Sequence, residues 1–161
     1  MKIIVVSDTH MPKKGKTLPG RLTEELATAD RIIHAGDWQT PEVYDRFKKY
    51  GQIDGVCGNT DDDQMRRLVP DKKALTIEGF KIGIVHGHGT GKTTEKRAAE
   101  SFSEKMDCII FGHSHIPYLR YVNKTLMFNP GSVMDKRKMP YFSFGILTLS
   151  DHIHAEFVFF S

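Results

Sequence analysis

The sequence predicts an α/β protein built from two mixed β-sheets packed face to face, with helices on their outer surfaces. Three observations carry that expectation. Residues 1–59 alternate apolar, β-branched runs with amphipathic stretches, the pattern of a parallel sheet covered by helices. From about residue 74 strand follows strand with little helix between, in what read as three hairpins. No linker-like segment parts the two halves, so a single domain over residues 1–161 is expected.

Each element has a local reason. KIIVVSD (2–8) is a continuous apolar run suited to a strand buried on both faces. A polar loop with two prolines (11–20) leads to the amphipathic stretch RLTEELATA (21–29). RIIHAGD (31–37) is a second strand ending in Gly-Asp. Pro41 then opens a helix over about 41–50, because the first helical turn has no partner for the N–H that proline lacks. IDGVCGN (53–59) is the third strand. LTIEGFKIGIVHG reads as a hairpin turning at Glu78-Gly79, and TTEKRAAESFSEKM (93–106) as a helix. DCIIFGH is the next strand, and two more hairpins turn near Asn123-Lys124 and at Ser150-Asp151.

Composition excludes several classes. At 39% hydrophobic and 27% charged, without repeats, the chain is neither low-complexity nor fibrous. The N-terminal IIVV run is too short for a signal-peptide core or a membrane span, so a cytoplasmic protein without a membrane partner is expected. Cys57 and Cys108 lie in separate apolar stretches and read as buried free thiols. The net charge of +3 comes with basic clusters at 13–16, 72–73 and 136–138, but no aromatics interleave with them. Solvated surface is the better reading, and a nucleic-acid track is disfavoured. A homo-oligomer is left open.

The stretch VHGHGTGKT (85–93) sets two readings against each other. A P-loop needs G-x-x-x-x-G-K-[ST], because that length wraps backbone N–H groups around a phosphate. The residue five places before Gly91 is His86, not glycine, so the loop does not match. Gly91-Lys92-Thr93 reads more simply as a loop ending in a Thr helix cap. The histidines gain weight from the other strand ends. Asp8 and His10, Asp37, Asn59, His86, and His113 and His115 follow five strands in order. Groups at the carboxyl ends of parallel strands converge, and residues i and i+2 at a strand end face one side. Seven mixed oxygen and imidazole donors suit two metal ions bridged by a carboxylate.

D-x-H, G-D, G-N-x-D, H-G-H and G-H-S-H in this order resemble the calcineurin-like metallophosphoesterases, and Asn129-Pro130-Gly131-Ser132 resembles their small bacterial and archaeal phosphodiesterase branch. The resemblance implies a four-layer α/β/β/α sandwich and a dinuclear centre, commonly of Mn²⁺, with Fe, Ni or Zn as alternatives. It implies one ion on Asp8, His10, Asp37 and His115, and the other on Asp37, Asn59, His86 and His113, with Asp37 bridging. The expected reaction is hydrolysis of a phosphate-ester substrate, a phosphodiester first, by a hydroxide between the ions. Asp37, Asn59 and His88 are the residues expected to take part. The alternative is a non-catalytic interaction scaffold resembling a retromer subunit, which departs from D-x-H and G-D. Thr60 stands where many members carry the histidine that protonates the leaving group. His34 reads as a core histidine, and Asp61, Asp62 and Asp63 as acids complementing the dipole of a helix start.

Overall fold

A computed structural model describes residues 1–161. The first half winds as β1 (Lys2–Val6), α1 (Gly20–Leu26), β2 (Arg31–His34), α2 (Pro41–Lys48), β3 (Ile53–Gly55) and α3 (Asp63–Leu68). The second half runs β4 (Lys72–Ile77), β5 (Phe80–Val85), α4 (Thr94–Glu100), β6 (Cys108–Ile110), β7 (Tyr118–Val122), β8 (Thr125–Asn129), β9 (Phe142–Leu149) and β10 (Ile153–Phe160). One sheet has the order β10-β9-β1-β2-β3 and the other β4-β5-β6-β8-β7. β1, β2 and β3 are parallel, as are β5, β6 and β8, while β9, β4 and β7 pair antiparallel at their flanks.

Alternation along β1 shows why the sheets stack. Ile3 and Val5 point into an apolar layer between the sheets, with Ile33, Ile82, Ile84, Ile110 and Phe128. Ile4 and Val6 point the other way, toward Leu22 and Leu26 of α1, Val43 and Phe47 of α2 and Met65 of α3. Ala98 of α4 covers the outer face of the second sheet with Ile109 and Phe111. Three apolar layers therefore separate four structural layers, the α/β/β/α sandwich. At about 25 cal/mol per Å² the layer between the sheets is a leading stabilising contribution, since 14 buried apolar residues fill it.

The three hairpins turn where the sequence places them. Glu78 and Gly79 have φ of +50° and +83°, and Asn123 and Lys124 have +50° and +65°, the left-handed pairs that match strand twist in tight hairpins. The helices are shorter than their patterns. α1 ends at Leu26 and α4 at Glu100, where 93–106 was expected. Beyond α4, Ser101 turns its hydroxyl back to the Arg97 carbonyl, and the Phe102 ring lies close over Gly83 of β5. Packing of that ring on the sheet overrides the helical pattern. Thr93 does take the N-cap position of α4, but its side chain makes no capping bond. The edges β3 and β4 are joined by Asp54, whose carboxylate takes Arg31 and Lys73 each at 2.7 Å.

Candidate metal centre

β1, β2 and β3 send their following loops to one end of the first sheet, β5, β6 and β8 send theirs to one end of the second, and the two sets of loops meet at the seam. Loops of the first sheet bring Asp8, His10, Asp37 and Asn59, and loops of the second bring His86, His113 and His115. The oxygen donors thus come from one sheet and three of the four imidazoles from the other. Five of these residues adopt left-handed backbone: Asp8, His10, Asp37, His113 and His115 have φ of +54°, +45°, +58°, +69° and +61°. Each such residue costs on the order of 1–3 kcal/mol and persists only where its surroundings hold it. The loops also need close approach. A Cβ at Gly58 would fall 2.1 Å from Asp37 Oδ1, and one at Gly112 would fall 2.7 Å from Asp8 Oδ2.

Each carboxylate is held by one oxygen and turns the other inward. Asp8 Oδ2 accepts from the Ser7 hydroxyl at 2.6 Å and the His113 N–H at 3.0 Å. Asp8 Oδ1 faces His115 Nε2 at 3.2 Å, His10 Nε2 at 3.7 Å and His86 Nε2 at 3.8 Å. Asp37 Oδ1 accepts from the Thr60 N–H at 2.9 Å, and Oδ2 faces His86 Nε2 at 3.2 Å and His10 Nε2 at 3.6 Å. Two triads result, Asp8-His10-His115 and Asp8-Asp37-His86, all buried. Asp8 is their common member, while Asp37 reaches imidazoles of both.

The imidazoles are aimed as metal ligands would be. His86 donates from Nδ1 to the Ala35 carbonyl at 2.7 Å, and His115 from Nδ1 to the Asp135 carbonyl at 2.5 Å. These bonds fix the tautomer that turns an Nε2 lone pair into the site. Asp8 Oδ1 and His86 Nε2 are fully buried and have no hydrogen-bond partner. Such orphaned atoms are costly unless something else engages them. Two donors that share an ion at about 2.1 Å lie about 3.0–3.4 Å apart, the spacing of the closest contacts here. The residues present therefore fit a metal ion.

Charge in the cluster is balanced between acids and imidazoles. Burial alone would raise the Asp8 carboxyl, but the charge of His86 and bonds to His10 and His115 hold it well below the carboxylate range. Asp37 is likewise lowered, His86 outweighing burial. His86 is pushed up to about 9, because the Asp8 and Asp37 charges overcome its burial. The pocket thus favours a positive charge at this spot.

At the mouth, His113 Nδ1 and Asn59 Oδ1 pair at 3.2 Å, and neither joins the buried triads. His88 is exposed, with its ring centre 5.5 Å from that of His86 and 6.3 Å from that of His113. Burial and the His86 charge lower both His88 and His113. Thr60 places its hydroxyl 3.4 Å from His10 Nδ1. His34 is a core residue, stacked on Trp38 at 3.6 Å and hydrogen-bonded to Thr9, and burial takes its pKa to about 3. Lys92 pairs with Glu100 on the surface, away from any phosphate cradle.

Three supporting residues escaped the sequence reading. Asp61 was expected to serve a helix start, but it is buried and accepts main-chain N–H groups from two site loops, leaving the cap of α3 to Asp62. Ser132 donates to the Asp8 carbonyl at 2.7 Å and accepts from the Asp135 N–H at 2.8 Å. Asn129 donates to the Gly112 carbonyl at 2.8 Å and to the Ser114 hydroxyl at 3.1 Å. The N-P-G-S turn thereby braces both Asp8 and the G-H-S-H loop. Its resemblance to a family string was the only signal, and a string does not name its partners.

Residues 1–152 match the calcineurin-like phosphoesterase superfamily domain. The chain belongs to that superfamily, whose members are metal-dependent phosphoesterases in the main. It is 31% identical over 160 residues to a probable metallophosphoesterase of Methanocaldococcus jannaschii, covering 98% of this chain and 81% of that protein. Its fold is similar to that of an archaeal phosphodiesterase, with a TM-score of 0.77 at 23% identity over 99% of this chain and 100% of that one. It is also similar to Vps29 of Chaetomium thermophilum, with a TM-score of 0.81 at 16% identity over 100% and 98% of the two chains. At those identities the last two likenesses are of fold alone.

Proposed function

We propose that this chain is a cytoplasmic phosphodiesterase working as one domain with a dinuclear metal centre. The observation that carries the reading is the pair of orphaned buried atoms, Asp8 Oδ1 and His86 Nε2, inside a ring of inward-turned donors. Asp8, His10, Asp37 and His115 would hold one ion. Asp37, Asn59, His86 and His113 would hold the other, with Asn59 and His113 leaving their mutual bond to do so. The mixture of carboxylate, amide and imidazole suits Mn²⁺ first, with Fe, Ni or Zn able to replace it. When bound, the ions supply Lewis acidity toward the phosphoryl oxygens and acidify a coordinated water. Asp37 orients both ligand sets through its single inward oxygen. His88 is the imidazole at the mouth, but its lowered pKa leaves it mostly neutral near pH 7, so it would supply a proton to the leaving oxygen only in part. Two divalent ions, two aspartates and one hydroxide leave a single net positive charge, the complement of a singly charged phosphodiester.

A second reading is an interaction scaffold, with which the fold likeness to Vps29 is consistent. The complete donor set of Asp8, His10, Asp37 and His115 favours the enzyme. Elemental analysis of the purified protein, paired with a panel of phosphodiesters and monoesters, separates the two. Bound transition metal and turnover of diesters ahead of monoesters are expected. A chain that takes up no transition metal on reconstitution, and hydrolyses nothing, is the scaffold.

A further inference from the structure

Asp61 receives three hydrogen bonds, all from main-chain N–H groups of the two loops that deliver Asp37 and Asn59. Oδ2 accepts from Gly58 at 2.7 Å and from Asp37 at 3.2 Å, and Oδ1 accepts from Gln39 at 2.7 Å. The residue is only 4% exposed, and main-chain N–H groups reach both of its oxygens. Two of the three donors lie on strained backbone, Asp37 at φ +58° and Gln39 at φ +90°. Non-glycine residues keep such conformations only where neighbours fix them. Here the fixing group is one carboxylate joining the loop after β2 to the loop after β3. The bond from the Thr60 N–H to Asp37 Oδ1 completes the arrangement. Asp62, next in sequence, does something else: its Oδ1 caps α3 at the Met65 N–H, 2.7 Å away.

We propose that Asp61 is a positioning residue that sets the Asp37 carboxylate and the Asn59 amide for metal, acting through the main chain without touching ion or substrate. The inference rests on the dinuclear reading above. Three N–H groups converge on two oxygens, and only a carboxylate accepts from all of them. An amide of the same shape keeps one acceptor and turns an NH₂ group against an N–H donor. With the loop released, Asp37 and Gln39 relax toward ordinary backbone, and the Asp37 carboxylate leaves the Thr60 N–H.

The test compares Asp61→Asn with wild type and with Asp62→Ala. Each metal-free protein is titrated with Mn²⁺ by calorimetry while folded, and amide exchange is followed at Asp37, Gln39 and Gly58. Groups that orient metal ligands are typically worth 10–100-fold in affinity. Asp61→Asn is expected to bind Mn²⁺ weaker by about that factor and to exchange those amides faster. Asp62→Ala is expected to lower the melting temperature and keep wild-type affinity. Asp61→Glu, which retains the charge at the wrong length, is expected to fall between, and it serves if the Asn variant does not fold. Wild-type Mn²⁺ affinity in folded Asp61 variants overturns the inference alone. A wild type that binds no Mn²⁺ overturns the dinuclear reading instead, and faster exchange in the variant would then mark Asp61 as a loop clamp with no metal to serve.

Discussion

At the scale of single residues, the site depends on atoms that are each held by one neighbour and offered to another. Asp37 shows the pattern, with Oδ1 on the Thr60 N–H and Oδ2 between His86 and His10. Asp37→Asn removes negative charge from the one residue assigned to both ions, so it should reduce kcat/KM more than loss of any outer ligand. A loss of at least ~10²-fold is expected, as for other groups that stabilise transition-state charge, and steady-state rates with excess Mn²⁺ check it. Thr60 carries a second prediction. A hydroxyl beside His10 cannot deliver a proton near neutral pH, and general acid catalysis is typically worth ~10²–10⁴-fold. Rates across aryl and alkyl diesters should therefore fall steeply with leaving-group pKa, and Thr60→His should flatten the slope. A shallow wild-type slope would identify another donor, with His88 first to mutate. The convergence of Asp8, His10, Asp37, His86 and His115 was legible in the sequence, because each lies close to the end of the strand that places it, while Asn59 and His113 meet each other at the mouth. Asp61, Ser132 and Asn129 were not legible. Their decisive partners lie far away in sequence, Asp61 accepting from Asp37 across 24 positions and Ser132 bonding to Asp8 across 124, and no local pattern encodes such a pair.

At the scale of elements, the strands were more legible than the helices. The turn pairs Glu78-Gly79 and Asn123-Lys124 fix their hairpins locally, whereas α4 stops where Phe102 meets Gly83, a contact made by tertiary packing. The loop before α4 illustrates the hazard of strings. Arg97 reaches back to the Gly87 carbonyl at 2.9 Å and to the Lys92 carbonyl, and Lys92 itself is bound to Glu100. The G-K-T is thus tied to its own helix instead of being open to a phosphate. Lys92→Ala should leave diester turnover within about twofold of wild type, because an exposed ion pair contributes only ~0–1 kcal/mol. ATP binding measured by calorimetry should be negligible in both proteins. Tight ATP binding lost in the variant would restore the P-loop reading.

At the scale of the whole molecule, the two sheets are fastened at their edges by charge as well as by their apolar layer. Burial would raise the Asp54 carboxyl, but the Lys73 and Arg31 bonds hold it below the usual value. A depressed acid stabilises the fold above its unfolded pKa, about 3.9, and the contribution disappears as pH falls through the folded value. Lys73 is partly exposed, so the cluster is discounted for screening. Asp54→Asn should lower stability at pH 7 by about 1–2 kcal/mol. Urea unfolding should show that difference closing below about pH 4. A gap that persists in acid would mean that shape, not charge, is what Asp54 provides.

The division of donors between the sheets has a consequence for how tightly the protein holds together. An ion that takes Asp37 from one sheet and His86 from the other is a rivet, and it can be set only while the two sheets are docked. By mass action, folding and metal availability are then one equilibrium. Free Mn²⁺ at a hundred times its dissociation constant adds about 2.7 kcal/mol to the folded state. The melting temperature should climb with the logarithm of free Mn²⁺ and drop on chelation, and a variant lacking His86 should lose most of that dependence. A cell short of metal would thus carry a looser, more easily proteolysed form of this chain, so its abundance would follow the metal supply. Melting curves that ignore Mn²⁺ would show that no ion spans the seam.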